Sequence, residues 1–267
     1  MLLLCAASAA QGATLIEYNF DTQIDSESYA DQSGNGYDLI FNRNVSISAN
    51  YPFATSHPEL APVDRSGRTR YNATTTGEVS GATSINLNTT QTFTMEGWIY
   101  LEGFATISDS PQGGRLWAVA SSTGGTSRFA LQYNSSGQIQ ATFNSRSQAG
   151  GTRTINTGVT LDLNEWVHLA YVKTASAVLI YMNGALIETY SEASITNRAL
   201  PTSLDSISVA SNIYGYFDDF RFSNTALSPE ELGYYTPFTT VPEPSTLALL
   251  AGTLGTGVLL RRKKVAG

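Results

Sequence analysis

The sequence is poor in the residues that staple small proteins, hold zinc or grip nucleic acid. It has one cysteine, Cys5, so no disulfide can close within the chain. Two histidines, His57 and His168, with no cysteine beyond residue 5, leave a zinc site without its ligands. Charged residues make up 14% of the chain, below the usual ~25%. Of 15 Lys and Arg, four are the terminal cluster Arg261, Arg262, Lys263 and Lys264, and the remaining 11 face 22 Asp and Glu, a balance of −11. Such a body repels phosphate backbones, which argues against a nucleic-acid partner. No long run has helical periodicity, no G-x-S-x-G nucleophile turn occurs, and the ligand spacing of an EF-hand is missing.

What is there is a strand-forming body between two unusual ends. "MLLLCAASAAQGA" is a short apolar run followed by small residues, with Ala7-Ser8-Ala9 and Ala10-Gln11-Gly12 both fitting a small-x-small cleavage site. It reads as a signal peptide over 1–13 that lacks its basic start, as if truncated there. The alternative is a buried N-terminal helix or strand. Lipid modification of Cys5 wants a small residue just before it, and Leu4 is large.

After residue 13 the chain alternates strands and turns. "QTFTMEGWIYLEG" places Phe93, Met95, Gly97, Ile99 and Leu101 on one face. "EWVHLAYVKT" and "AVLIYMN" are β-branched and aromatic, and Asn183-Gly184 before "ALIETY" is a strong hairpin signal. "TLIEYNF", "RLWAVASS", "RFALQYN", "QIQATFN", "DSISVAS" and "YFDDFRFS" are further strands. Turns every ~8–12 residues predict a sandwich or barrel. One short helix is predicted in "LSPEELGYY", with Ser228 as cap, Pro229 in the first position and Glu230 and Glu231 at the positive end of the dipole.

Three segments in order, "FTMEGWIYLEG", "NEWVHLAYVKTASAVLIYMNGALIETY" and "GYFDDFRFSNTALSPEEL", resemble the laminin-G-like, concanavalin A-like jelly-roll domains. "FDTQIDSESYADQSGNGYDL" is similar to their opening, and the resemblance spans most of 15–235. It implies an all-β fold of two stacked antiparallel sheets, with one domain over 14–235. The same fold hosts lectins, glycanases and adhesive modules, so it does not choose among functions.

Period-2 alternation puts Asp218 on the face of Phe220 and Phe222, which predicts a carboxylate inside the core. A buried charge must be paired, hydrogen-bonded or metal-bound. Calcium is one solution, since it takes carboxylate and carbonyl oxygens. The resembled family implies a site with the D-x-S-G-N-G loop, whose candidate ligands here are Asp31 and Asn35 beside Asp218. The other solution is a carboxylate that accepts N–H groups and pins that loop without metal. His168, alternating with Trp166 and Ala170, reads as a structural histidine of the resembled W-x-H-x-A strand; His57 lies in a Pro-rich loop.

Glycanases of this fold carry carboxylates clustered on one strand face, and retaining chemistry needs two about 5–5.5 Å apart. No such cluster is present: Glu96 and Glu102 share a face but are about 20 Å apart at ~3.3 Å per residue. Catalysis is therefore not expected. Tyr214, Tyr216, Tyr234 and Tyr235 gather near the end of the domain, either as sugar-stacking rings or as core and rim tyrosines.

The C-terminus is a different object. After a linker at 236–241, Pro242-Glu243-Pro244 precedes an apolar run, Leu247 to Leu260, and then Arg261–Lys264. A helix over about 245–260 spans roughly 24 Å, short of a ~30 Å hydrocarbon core, and crosses if the basic residues reach the headgroups. The positive end stays cytoplasmic and the body outside. The order Pro-Glu-Pro, apolar helix, basic cluster over 242–267 resembles the PEP-CTERM sorting signal. It implies export across the inner membrane of a Gram-negative-type bacterium, a transient membrane anchor, cutting by an exosortase-type membrane protease, and secretion or surface attachment. The combined expectation is an exported, non-catalytic module that binds polysaccharide in a biofilm or cell-surface matrix. The alternatives are a structural matrix protein without a specific ligand, and a glycan-active hydrolase or lyase.

Overall fold

The computed structural model describes residues 14–21, 28–41, 45–48, 66–69, 79–81, 85–86, 92–104, 113–121, 127–145, 153–191, 203–204, 206–211 and 213–234. The chain divides into two units, Met1–Tyr235 and Thr236–Gly267. The second unit, the leader and His57 lie outside the described residues, and so do the predicted tail helix, Pro242, Glu243, Pro244 and the basic cluster.

The first unit is built on two antiparallel eight-stranded sheets. The first runs Ala185–Tyr190, Val178–Met182, Trp166–Lys173, Phe93–Gly103, Tyr214–Ser223, Ser66–Thr69, Val45–Ser48. Thr14–Tyr18 also joins Tyr214–Ser223, sharing its outer edge with Ser66–Thr69. The second runs Arg153–Thr160, Gln138–Ser145, Ser127–Tyr133, Arg115–Ser121, Ser206–Ser211, Val79–Gly81, Leu39–Phe41, Ser28–Tyr29.

Alternation decides what lies between the sheets. Phe93, Met95, Ile99 and Leu101 point inward from one strand, Val167, Leu169 and Tyr171 from its neighbour, and Trp117, Val119, Phe129, Leu131 and Phe143 from the opposing sheet. Each such side chain withdrawn from water contributes ~1.5–3 kcal/mol. The Asn183-Gly184 turn has positive φ at both residues, 49° and 76°, the conformation a two-residue hairpin requires. Asn183 also secures the strand beside it: its N–H donates to the His168 carbonyl, and its Oδ1 accepts the His168 N–H, each at 2.9 Å.

The strand Tyr214–Ser223 contains a bulge. Asp218 pairs with Trp98 and Arg221 with Glu96, so Asp219 and Phe220 together face Gly97. Asp219 takes φ 46° to make the extra residue fit. Gly97 leaves room for this approach: a Cβ there would sit 3.1 Å from the Asp218 carbonyl oxygen and 3.1 Å from the Trp117 ring, so a neighbour would have to give by a few tenths of an ångström.

Candidate functional site

Three strands of the first sheet, Tyr214–Ser223, Phe93–Gly103 and Trp166–Lys173, align their outward residues in rows. The rows are Ser223–Thr94–Val172, Arg221–Glu96–Ala170, Asp218–Trp98–His168 and Tyr216–Tyr100–Trp166. The chain after the last strand folds back over the first two. Thr94 Oγ1 donates to the Thr225 carbonyl at 2.8 Å and accepts the Leu227 N–H at 3.0 Å. Leu227 and Leu232 pack on Ala170, Val172 and Tyr181. The predicted helix is one 3₁₀ turn, Pro229–Glu231, and Glu231 Oε2 accepts the Ser228 N–H at 2.8 Å.

The centre of this strap is a buried ion network. Glu96 is 1% exposed. Its Oε1 accepts from Nε of Arg221 at 2.6 Å and also from Nη2. Its Oε2 accepts the Gly233 N–H at 2.8 Å and lies 3.3 Å from His168 Nε2. Arg221 Nη2 donates onward to the Glu231 carbonyl at 2.6 Å. Burial alone would raise the Glu96 carboxyl. The His168 hydrogen bond, the Arg221 charge and the Gly233 N–H outweigh it and hold the carboxyl below its usual range. His168 is thus placed as a structural residue of the strap.

The strap ends with Tyr234 against Trp98, ring centroids 5.9 Å apart. Beyond it lies the fourth row. Tyr100 stands 5.7 Å from Trp166 and 5.4 Å from Tyr216, and Trp166 stands 6.3 Å from Tyr216. Tyr100 and Trp166 are half-buried and Tyr216 is buried. The Tyr216 hydroxyl donates to Glu102 Oε1 at 3.4 Å. Aromatic rings with a polar rim are what a sheet offers to the C–H face of a sugar.

The alternation argument for Asp218 fails at the bulge. Asp218 is 1% exposed, as expected of a buried carboxylate, but its register partner is Trp98 and not a core residue. Phe217 and Phe220 both enter the core, so the extra residue reverses the phase and turns Asp218 to the outer face. Its Oδ1 accepts the Asp219 N–H at 2.9 Å.

Asp31 and Asn35 lie together on the loop against Thr14–Tyr18. Asp31 Oδ1 accepts the N–H groups of Glu17 and Ser33, each at 3.0 Å. Its Oδ2 accepts the Ser33 hydroxyl at 2.7 Å and the Tyr37 N–H at 3.1 Å. Four donors fill the lone pairs of one carboxylate. Asn35 turns its Nδ2 to the carbonyls of Thr14 and Leu15, each at 3.2 Å. These groups satisfy one another within the loop. Among the described residues no group of three or more His, Cys, Asp or Glu is arranged for a metal.

Alternation already placed Glu96 and Glu102 on one face. Trp98 and Tyr100, between them in the same strand, follow by the same rule. That Arg221, Trp166 and Tyr216 join them depends on strand order and on the bulge.

The concanavalin A-like lectin/glucanases superfamily profile matches residues 72–233. The chain belongs to this superfamily. The PEP-CTERM protein-sorting motif matches residues 240–263, so the chain carries a sorting signal of exported, surface-associated proteins. No curated protein sequence matches it. Among solved structures it is similar to the binding domain of Paraclostridial Mosquitocidal Protein 1, with 17% identity, TM-score 0.59 and coverage of 85% of this chain and 52% of that one. It is also similar to the binding domain of botulinum neurotoxin DC, solved with rat synaptotagmin II, with 16% identity, TM-score 0.58 and coverage of 85% and 51%. Domain 4 of AbnA, an extracellular arabinanase from Geobacillus stearothermophilus solved with arabinotriose, has 14% identity, TM-score 0.57 and coverage of 83% and 97%. The chain spans about half the length of the two toxin domains. At these identities the likeness shows the jelly-roll sandwich fold. Among the described residues no helix is long and apolar enough to cross a membrane.

Proposed function

We propose that this superfamily member is an exported, non-catalytic module that binds polysaccharide in a biofilm or cell-surface matrix. The observation that carries the reading is the row Tyr216–Tyr100–Trp166, which lies beyond the strap with Tyr100 and Trp166 half-buried and Tyr216 buried. A pyranose or furanose ring stacks its C–H face on such rings, and Glu102 at the rim accepts from sugar hydroxyls. The arabinanase domain solved with arabinotriose supports a glycan ligand on this fold. Against catalysis, Glu96 is neutralised by Arg221 and sealed under the strap, and Glu102 and Asp218 are separated by the Tyr100 row. An exosortase-type protease then cuts the tail at Pro242-Glu243-Pro244, after the apolar run has held the chain in the inner membrane with Arg261–Lys264 on the cytoplasmic side.

The test is a glycan array probed with the full chain in detergent, wild type beside Trp166→Ala and Tyr100→Ala. Each base stacked on an aromatic ring in nucleic-acid-binding platforms is worth ~1–3 kcal/mol, and a similar term here means that either change should lower affinity by about fivefold or more with the melt retained. Glycan binding that survives both substitutions would remove the platform from the account. Hydrolysis of a bound glycan would favour the enzymatic alternative.

A further inference from the structure

The three rings of the aromatic row are not a flat platform. The centroids of Tyr100 and Tyr216 are 5.4 Å apart with the planes inclined by 80°. Tyr100 and Trp166 are 5.7 Å apart at 59°, and Trp166 and Tyr216 are 6.3 Å apart at 51°. One flat sugar cannot lie on three rings so tilted, but a compact group can touch all of them. A ring face attracts a cation within about 6 Å of its centroid, and rings this close share such a point. Tyr100 and Trp166 are half-buried, so each presents part of its ring to water.

The groups around the rings set the sign of that compact group. Glu102 is half-buried, and its Oε1 accepts the Tyr216 hydroxyl at 3.4 Å, which holds a carboxylate beside the rings. The turn before Trp166 carries Asp162 and Glu165, both exposed. The Asn164 N–H in that turn donates to the Leu101 carbonyl at 2.8 Å and so pins it beside Tyr100 and Glu102. Arg68 stands in register with Tyr216, at the far end of the row from Trp166. The acidic half of the row is therefore Tyr100–Trp166. The body as a whole has the same sign, with 11 basic against 22 acidic residues once Arg261–Lys264 are set aside.

We propose that this row selects a cationic glycan: the ammonium group of an unacetylated amino sugar sits over Tyr100 and Trp166, with Glu102 as its counter-ion. The ring faces and the carboxylate attract the same charge at the same place. A neutral sugar there gains stacking alone, and a uronic acid meets the acidic rim, where like charges repel. The inference rests on the reading that this row binds a glycan, and adds to it the charge of the sugar.

Titration calorimetry of the full chain in detergent with chitohexaose and with the glucosamine hexamer tests it, because the two differ only in N-acetyl against ammonium. The wild type should bind the glucosamine hexamer about tenfold more tightly at low salt, and added salt should narrow the gap. Glu102→Gln keeps an oxygen for the Tyr216 hydroxyl but removes the charge, so it should abolish most of the preference. Asp162→Asn combined with Glu165→Gln, at exposed positions, should reduce it in part with an unchanged melt. Trp166→Ala should weaken both hexamers. Equal affinity for the two hexamers, or a preference that neither charge variant moves, overturns the charge inference. The aromatic reading then stands if Trp166→Ala still weakens binding. Binding of choline without binding of the glucosamine hexamer also overturns it, in favour of a quaternary ammonium ligand. If neither hexamer nor any arrayed glycan binds, both readings fall together.

Discussion

Arg221 and Glu96, on neighbouring strands and paired in register, meet through two guanidinium donors beneath the strap of residues 224–234. The pair links the bulged strand to the segment that precedes the sorting signal. Removing one partner of a buried ion pair costs about 3–5 kcal/mol, because the other charge remains without compensation. Glu96→Ala should therefore lower stability by that order in denaturant melts and loosen the strap, read as faster hydrogen exchange at Gly233. Unchanged exchange there would separate the pair from the strap.

The same carboxylate sets an acid limit. Glu96 is held below its usual range in the fold. Its stabilisation is complete above the unfolded carboxylate's pKa and is lost as pH falls through the folded value. The wild-type melt should fall on acidification below the ordinary carboxylate range, and Glu96→Gln should flatten that fall. Glu17, raised by burial despite Arg221, has the opposite sign, so variant and wild type are compared at each pH. Parallel pH curves for the two proteins would contradict this assignment.

Phe220 should be among the costliest truncations. It is 0% exposed, stacks on Tyr18 with ring centroids 6.2 Å apart and meets Trp117 at 5.3 Å. Phe220→Ala should cost about 3–5 kcal/mol, a large share of the ~5–15 kcal/mol that holds a domain. A chemical-denaturation midpoint equal to wild type would show that the bulge does not direct Phe220 inward.

For calcium, the four donors on Asp31 predict equal melting temperatures in Ca²⁺ and in EGTA. Asp31→Asn should destabilise equally in both, through lost charge-assisted hydrogen bonds. A wild-type melt that rises with Ca²⁺ but not with Mg²⁺ would instead establish a cation site that needs these oxygens rearranged.

For the tail, replacing Pro242, Glu243 and Pro244 by Ala should leave the protein uncut and in the inner membrane. Intact mass of the exported wild type is the check; a mass that still includes Arg261–Lys264 would refute processing.

By itself the sequence determined the local layer of this protein. Alternation named the inward face of Phe93–Gly103, because a strand surface has period 2 whatever it packs against, and Asn183-Gly184 named its hairpin, because few other pairs accept positive φ twice. The tail order named the sorting signal with no fold at all. Arg153–Thr160 escaped notice because an edge strand exposed over most of its length carries little hydrophobic signal. The sites were decided by tertiary structure. Asp218 turned outward only because two residues oppose Gly97 at the bulge. Arg221 reached Glu96, and Tyr216 and Trp166 reached Tyr100, only because strands far apart in sequence became neighbours. The outward row Asn156–Gln140–Gln132–Arg115 of the second sheet exists for the same reason: its members are spread over 42 positions, and only the strand register puts them side by side.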